Sequence, residues 1–233
     1  MPGPRYTSLV HGQNLTDVVI TGANGTIDGQ GAVWWAMHAN KAQVQLNPKT
    51  KKKKTLQHTR GRLIQLLWSD TVEVSNLTLT NSPYWTVHPV YVRGFLAHHL
   101  WIINPTDGTA PETDGIDPDS SRDVLIHNVY IRTGDDAIAI KSGWDEYGYD
   151  YGRPSLNVTV RDSVLSSPCC AAVCIGSEMS GGVADVTVKR TLIVGSGTGF
   201  RIKFAAGRGG YVRDVSVEDV RIETTVTAID CYS

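Results

Sequence analysis

Six short segments of this 233-residue chain follow one apolar template, and that repeat limits the fold more than any other feature. VEVSNLTL carries apolar residues at Val72, Val74, Leu77 and Leu79. VLIHNVYI repeats the pattern at Val124, Ile126, Val129 and Ile131, and VSVEDVRI at Val215, Val217, Val220 and Ile222. Two looser copies put a small polar residue third: Val158, Val160, Ser163, Leu165, and Val186, Val188, Thr191, Ile193. A degraded copy reads Leu96, His98, Trp101, Ile103. The copies start at 72, 96, 124, 158, 186 and 215, so the steps are 24, 28, 34, 28 and 29 residues. A step of this size, holding two or three short strands, suits one coil of a right-handed parallel β-helix. Inward side chains stack into an apolar column, and the break between the second and third template positions is a bend between sheets. A β-sandwich of hairpins is the rival, but it calls for paired turn signals at regular spacing. ANG at 23–25 is one such signal, without a regular series. The expectation is therefore an all-β solenoid forming a single domain over residues 1–233. Helical periodicity is nearly absent; VWWAMHANKAQVQL at 33–46 is a weak candidate.

Stacked coils would carry side chains onto a common sheet. Some 12–18 residues past the template starts lie WTVHPV (85–90), TDGID (113–117), DDAIAI (135–140), AAVCIGS (171–177) and GFRIKF (199–204). Neighbouring strands lie about 4.8 Å apart. Asp114, Asp135 and Asp136 then fall on adjacent rungs, while Arg201 and Lys203 share a face because residues two apart in a strand point the same way. Hydrolysis of a glycosidic bond needs an acid for the leaving oxygen and a base for water. Crowded carboxylates raise the pKa of at least one of them, which keeps an acid protonated. Arg201 and Lys203 could bind sugar carboxylates. Each feature alone has a plainer reading: GDD as a turn, stacked aspartates as calcium ligands, the basic pair as surface charge.

Charge is balanced, with 22 basic and 23 acidic residues, which points to neither a nucleic-acid nor a membrane partner. The basic run PKTKKKK at 48–54 lacks interleaved aromatics and reads as a solvated loop insertion. No segment is long and apolar enough to span a bilayer. Cys169, Cys170, Cys174 and Cys231 show no zinc spacing, so no metal is expected, and their disulfide pairing is unassignable. Asn14, Asn24, Asn76 and Asn157 head N-x-Thr sequons, candidate glycosylation sites that lean toward the secretory route. The opening MPGPRYTSLVHGQ does not read as a signal peptide, so a missing leader or a fragment is the expectation.

With these motifs quoted, the chain resembles glycoside hydrolase family 28, the polygalacturonases. The resemblance rests on TDGIDPDSS, TGDDAIAIKSGWDEYGYDYGRPS, IGSEMSGG and FRIKFAAGRGGYVRDV, with GTIDGQGAVWW and NSPYWTVHPV similar to earlier coils. It covers about residues 6–230 and is nearest to a plant polygalacturonase-like branch. It implies a right-handed parallel β-helix, inverting hydrolysis of α-1,4 links in polygalacturonate, no cofactor, and a secreted, cell-wall-directed monomer. Carried over by motif, Asp135 is the general acid, Asp114 and Asp136 activate water, and Arg201 and Lys203 bind the substrate carboxylate. Two departures stand out. The family NTD reads Glu112-Thr113-Asp114 here, adding an acid, and Ala171 stands where the family GHG places a histidine, a residue this branch commonly lacks. His88, on a nearby rung, is a candidate stand-in and substrate contact; the competing reading is a histidine satisfied by its neighbours. The resemblance also implies truncation at both ends, leaving an unpaired coil edge. A degenerate β-helix that only binds anionic polysaccharide, or an enzyme for another pectic backbone such as rhamnogalacturonan, is the alternative. Exo or endo action would depend on loops such as WDEYGYDYGRPSLN at 144–157.

Overall fold

A computed structural model describes residues 5–39, 56 and 58–232. The basic run at 48–54 and the second half of the 33–46 helical candidate lie outside the described residues. Strands follow one another around three faces of a column. The first coil holds β1 (Val10–Gln13) and β2 (Thr16–Asp28), and helix α1 (Ala32–Ala39) follows. The next coils are β3 (Ile64–Leu67) with β4 (Asp70–Thr80), and β5 (Val87–Val90) with β6 (Arg93–Ile103). Then come β7 (Arg122–His127) and β8 (Tyr130–Arg132), β9 (Ile138–Ile140), and helix α2 (Asp145–Tyr151). Strands β10 (Ser155–Arg161), β11 (Val164–Ser166), β12 (Ala171–Ile175), β13 (Val183–Lys189) and β14 (Leu192–Val194) continue the pattern. Strands β15 (Thr198–Lys203), β16 (Val212–Glu218), β17 (Arg221–Glu223) and β18 (Thr227–Tyr232) complete it.

Every strand pair among the described residues is parallel, which excludes the hairpin sandwich. The fold is the right-handed parallel β-helix, the hand that parallel crossovers take almost without exception. Its core is the template itself: Val74, Ala97, Ile126, Val160 and Val188 stack in register and are nearly inaccessible to solvent. The bend between the second and third template positions is a single left-handed residue in each coil. These are Asn76 (φ 54°), His99 (50°), Asn128 (51°), Asp162 (51°), Arg190 (46°) and Asp219 (50°). Asn and Asp tolerate that conformation best, which accounts for their recurrence there. The sequon residues Asn14, Asn24, Asn76 and Asn157 are also left-handed, with φ of 54, 61, 54 and 54°. Corner geometry is therefore a sufficient reason for asparagine at all four.

One copy of the template was out of register. Phe95, Ala97, Leu100 and Ile102, not Leu96, His98, Trp101 and Ile103, pair with Val72, Val74, Leu77 and Leu79. The true set is buried, whereas Trp101 is 57% exposed and packs on Tyr130. A one-residue slip turns every side chain to the other face, and the outward Leu96, Trp101 and Ile103 imitated a core while Ala97 concealed one. Val18, Ile20 and Ile27 form a further copy that the spacing hides, because a register shift between Thr21 and Gly25 stretches it. In the last coil, Val217 stacks on Val188 and Ile229 on Phe200, and they are 39% and 63% exposed.

Candidate active site

One sheet face carries the chemistry. Strands β1, β3 and β5 run in order, the bridges Val87↔Ile116 and Ile116↔Ile138 continue the ladder, and β9, β12, β15 and β18 complete it. This face collects the five segments WTVHPV, TDGID, DDAIAI, AAVCIGS and GFRIKF. Asp114, Asp135, Asp136 and Lys203 converge on a pocket of about 210 Å3, together with Tyr84, Trp85, Glu112, Lys141, Trp144, Ser177 and Glu178.

Asp136 is 2% exposed and firmly held. Its Oδ1 accepts the Ala171 N–H at 2.8 Å, and its Oδ2 accepts from Lys203 Nζ at 2.5 Å. Thus the residue replacing the family histidine still contributes its backbone amide. Asp135 Oδ1 accepts the Asp136 N–H at 2.9 Å, and the Asp135 carbonyl accepts from Ser167 Oγ at 2.6 Å. The two adjacent aspartates lie just before β9, outside regular strand alternation, so both reach the same pocket. Burial, then the neighbouring Asp136 charge, pushes the Asp135 carboxyl above its ordinary range.

Asp114 sits in a second buried cluster. Burial, then the adjacent Asp117, pushes it well above the usual carboxylate range. Asp117 is itself inaccessible and pushed up to about 8, mainly by burial, with Lys141 opposing. Lys141 Nζ lies 3.0 Å from Glu178 Oε2 and 3.9 Å from oxygens of both Asp114 and Asp117. Nζ also faces the Trp85 ring at 4.4 Å. Burial pulls Lys141 down, but Glu178, Asp114 and Asp117 together hold it well above the usual ammonium range. Lys203 is likewise held high: burial lowers it, and Cys174 and Asp136 raise it.

The pocket lining holds five acids and two cations, so protons settle on the most desolvated carboxyls. The added acid Glu112 is answered by Arg60, whose Nη2 lies 2.5 Å from its Oε2. Glu112 also has a φ of 57°, a conformation that suits asparagine better than glutamate. Asp135, Asp136 and Cys170 place one ligand-type atom each within 4.8 Å of one another. Both Asp136 oxygens are already engaged by Lys203 and Ala171, which leaves a cation little to bind. All four cysteines are free thiols, with the Cys169 and Cys170 sulfurs 3.0 Å apart.

Two expected site residues lie elsewhere. Arg201 shares a face with Lys203 but does not line the pocket: its Nη2 donates to Thr198 Oγ1 at 2.5 Å, and its Nε lies 3.4 Å from Asp230 Oδ2 on β18. His88 does not stand in for the histidine missing at Ala171. It is buried in a neighbouring cavity, where its Nδ1 accepts from Gln65 Nε2 at 3.2 Å and its Nε2 faces Asp119 Oδ2 at 3.4 Å. Burial pulls its pKa to about 4, so it is neutral. Conversely, Lys141, Asp117 and Glu178 were not singled out from sequence. The signal was available, since they lie in AIAIKSG, TDGID and GSEMSGG beside the residues that were.

The raised Asp117 has a stability consequence. The folded protein keeps this proton to about pH 8, whereas an exposed carboxyl releases it near 3.8. Between those values the native state binds more protons, so this group makes stability fall as pH rises. From pH 5 to 8 the loss reaches at most about 4 kcal/mol, from ~1.4 kcal/mol per proton per pH unit. Urea unfolding at both pH values checks this: Asp117→Asn should shrink the difference seen in the unmodified protein.

The family model for Glycosyl hydrolases family 28 matches residues 3–231. A probable polygalacturonase of Vitis vinifera is 47% identical over 221 residues, covering 94% of this chain and 42% of that protein. An endo-polygalacturonase of Pectobacterium carotovorum subsp. carotovorum is 34% identical over 213 residues, covering 88% of this chain and 48% of that protein. The chain therefore spans less than half the length of these two relatives. Among solved structures, a hyperthermoactive exopolygalacturonase from Thermotoga maritima superposes with a TM-score of 0.80 at 28% identity, covering 94% of this chain and 56% of that one.

Proposed function

The chain belongs to glycosyl hydrolases family 28, and from that premise we propose that it hydrolyses α-1,4-galacturonosidic bonds of polygalacturonate with inversion. The observation that carries the reading is the convergence of Asp114, Asp135, Asp136 and Lys203 on one pocket, where burial and the Asp136 charge push the Asp135 carboxyl above its ordinary range. Asp135 gives its proton to the glycosidic oxygen as the bond to the anomeric carbon breaks. Water attacks that carbon from the opposite face and passes a proton to Asp136. Asp136 is better placed for this than Asp114, whose carboxyl burial and then Asp117 push well above the usual range, leaving it less available as a proton acceptor toward the acid end of the pH range. Asp114 then orients the water. Lys203, which lines the pocket, attracts the substrate carboxylate, whereas Arg201, two residues before it, is turned to Asp230. This role would place the protein outside the cell, at the plant wall polymer; no described helix is long and apolar enough to cross a membrane.

Release of reducing ends from polygalacturonate, with the anomer followed by NMR, tests the reading. No release, or retention of configuration, removes it. Binding without turnover would favour the degenerate, binding-only alternative. The pairing of Glu112 with Arg60 offsets the added acid, so it does not stand in the way of a polyanionic substrate. The pH dependence is specific too. Turnover needs the Asp135 proton and is lost as pH rises through its elevated pKa, so the descending limb of kcat/KM should lie above the usual carboxylate range. A kcat/KM profile without a descending limb, or one that Asp135→Asn leaves unshifted, contradicts the assignment.

A further inference from the structure

On the coil that follows Asp135 and Asp136, just before β12, two adjacent cysteines bring their sulfurs to 3.0 Å from each other. Both are free thiols; Cys169 is exposed and Cys170 half-buried. Neighbouring coils fix their place. The Cys169 thiol donates to the carbonyl of Gly134, the residue before Asp135, at 3.2 Å. The Cys170 carbonyl accepts the Thr198 N–H at 2.9 Å. Cys170 Sγ and one oxygen each of Asp135 and Asp136 lie within 4.8 Å of one another. Asp136 is engaged by Lys203 and the Ala171 N–H. Asp135 accepts one backbone N–H at Oδ1 and a hydrogen bond from the Cys170 thiol. The groups left facing one another are therefore two thiols and one carboxyl. Sulfur donors select borderline and soft ions such as Zn2+ and Cd2+ over Ca2+ and Mg2+, which ask for oxygen. Metal–thiolate bonds run to about 2.3 Å, so two sulfurs on one tetrahedral ion stand ~3.8 Å apart. Small χ1 rotations of these side chains open the pair that far.

We propose that Cys169 and Cys170 form a two-sulfur chelate for a thiophilic divalent ion such as Zn2+ or Cd2+, with the Asp135 carboxylate as third ligand, and that the bound ion switches hydrolysis off. The binding stands on the geometry alone; the switching rests on the galacturonan reading above. Water completes the tetrahedral shell. Binding releases protons to solvent: one from each thiol and, in its acid form, one from Asp135. That last proton is the one the glycosidic oxygen requires, so the ion and the catalytic proton exclude each other. Protons compete with the ion for the same three atoms, so inhibition deepens as pH rises.

The test uses the full chain, reduced beforehand and freed of reductant, titrated with Cd2+ while the ultraviolet thiolate-to-metal absorption is followed. One equivalent should saturate it. Cys169→Ser should weaken the affinity about 100-fold or more, since loss of even an outer-shell partner costs roughly 10–100-fold. It should leave metal-free turnover unchanged; Cys169→Ala serves if that variant folds poorly. Asp135→Asn should weaken binding about tenfold by removing the third ligand. Cys231→Ser removes an exposed thiol on β18 and should change nothing. Turnover of polygalacturonate is measured with free Cd2+ fixed by a metal buffer, because the polyanion binds cations itself. It should fall with the midpoint at which the absorption rises, and that midpoint should move to lower Cd2+ at higher pH. Unchanged affinity in Cys169→Ser, lost affinity in Cys231→Ser, or full turnover by the Cd2+-saturated protein overturns the proposal. So does a disulfide joining Cys169 to Cys170 in the protein as isolated. If the metal-free protein shows no turnover, the galacturonan reading fails, while the absorption titration with Cys169→Ser still decides the chelate.

Discussion

Asp135→Asn is expected to lower kcat on polygalacturonate about 10^3-fold or more while KM stays within a few-fold. Asparagine is nearly isosteric with aspartate and can still accept the Asp136 N–H at Oδ1, so the pocket keeps its shape. What it cannot do is give up a proton to the glycosidic oxygen. A second substrate separates acid from base. A galacturonide with a nitrophenolate leaving group departs without protonation, so the variant should recover most of its rate on that compound. Asp136→Asn should not be rescued this way, because the water still needs a base. Asp136 is also bound to Lys203, so its neutral replacement loosens the lysine that awaits the substrate carboxylate. If Asp135→Asn keeps polymer turnover within tenfold, the acid is another carboxyl, and Asp114 is the next candidate because burial raises it as well.

The column was legible because its period is enforced by core stacking. Val124, Val158 and Val186 pair residue for residue, so the sequence has to repeat wherever the core does. The catalytic rungs were legible for the same reason: TDGID and DDAIAI occupy the same place in successive coils. What the sequence hid falls into two kinds. Register failed where the outward face is apolar, as at Leu96 and Trp101, since a period of two cannot distinguish faces when both are hydrophobic. Partnership failed where it depends on loops. Nothing in the spacing of Arg60, Arg62 or Glu178 states that they end beside Glu112, Trp85 and Lys141. Helix α2 does not show in the sequence, because DEYGYDY offers neither helical periodicity nor strong helix formers and its capping comes from Gly152 (φ 60°). His88 misled for another reason. A histidine on the right rung has the right address, but Gln65 and Asp119 consume both of its nitrogens.

Gly115→Ala should cost much of the fold's stability, because the added methyl meets backbone beneath the catalytic carboxyls. Gly115 lies between Asp114 and Ile116 on the rung below Asp136. Its N–H donates to the Asp136 carbonyl at 3.0 Å, and the Ile116 N–H donates to the Ala137 carbonyl at 3.1 Å. A Cβ at Gly115 would lie 2.3 Å from that Ala137 oxygen and 2.8 Å from Ile131 Cγ2. The first obstacle is backbone and cannot rotate away, so the two coils must separate and the ladder bonds between them lengthen. Overpacking of this kind costs about 1–3 kcal/mol, and strained ladder bonds add to it, so a loss of ~3 kcal/mol or more in urea unfolding is expected. The same displacement carries Asp114 away from Asp136. A shift of about 1 Å in a reacting group lowers a rate on the order of 100-fold, so kcat should fall even in the folded fraction. Gly25→Ala is the matched control: it occupies an inward template position, yet the nearest atom to its added Cβ is 4.0 Å away. That variant should change neither unfolding by more than about 1 kcal/mol nor turnover. Should Gly115→Ala match it, the coil spacing under the carboxylates is looser than a backbone contact of 2.3 Å allows, and their alignment has to come from Lys141 and Lys203 instead.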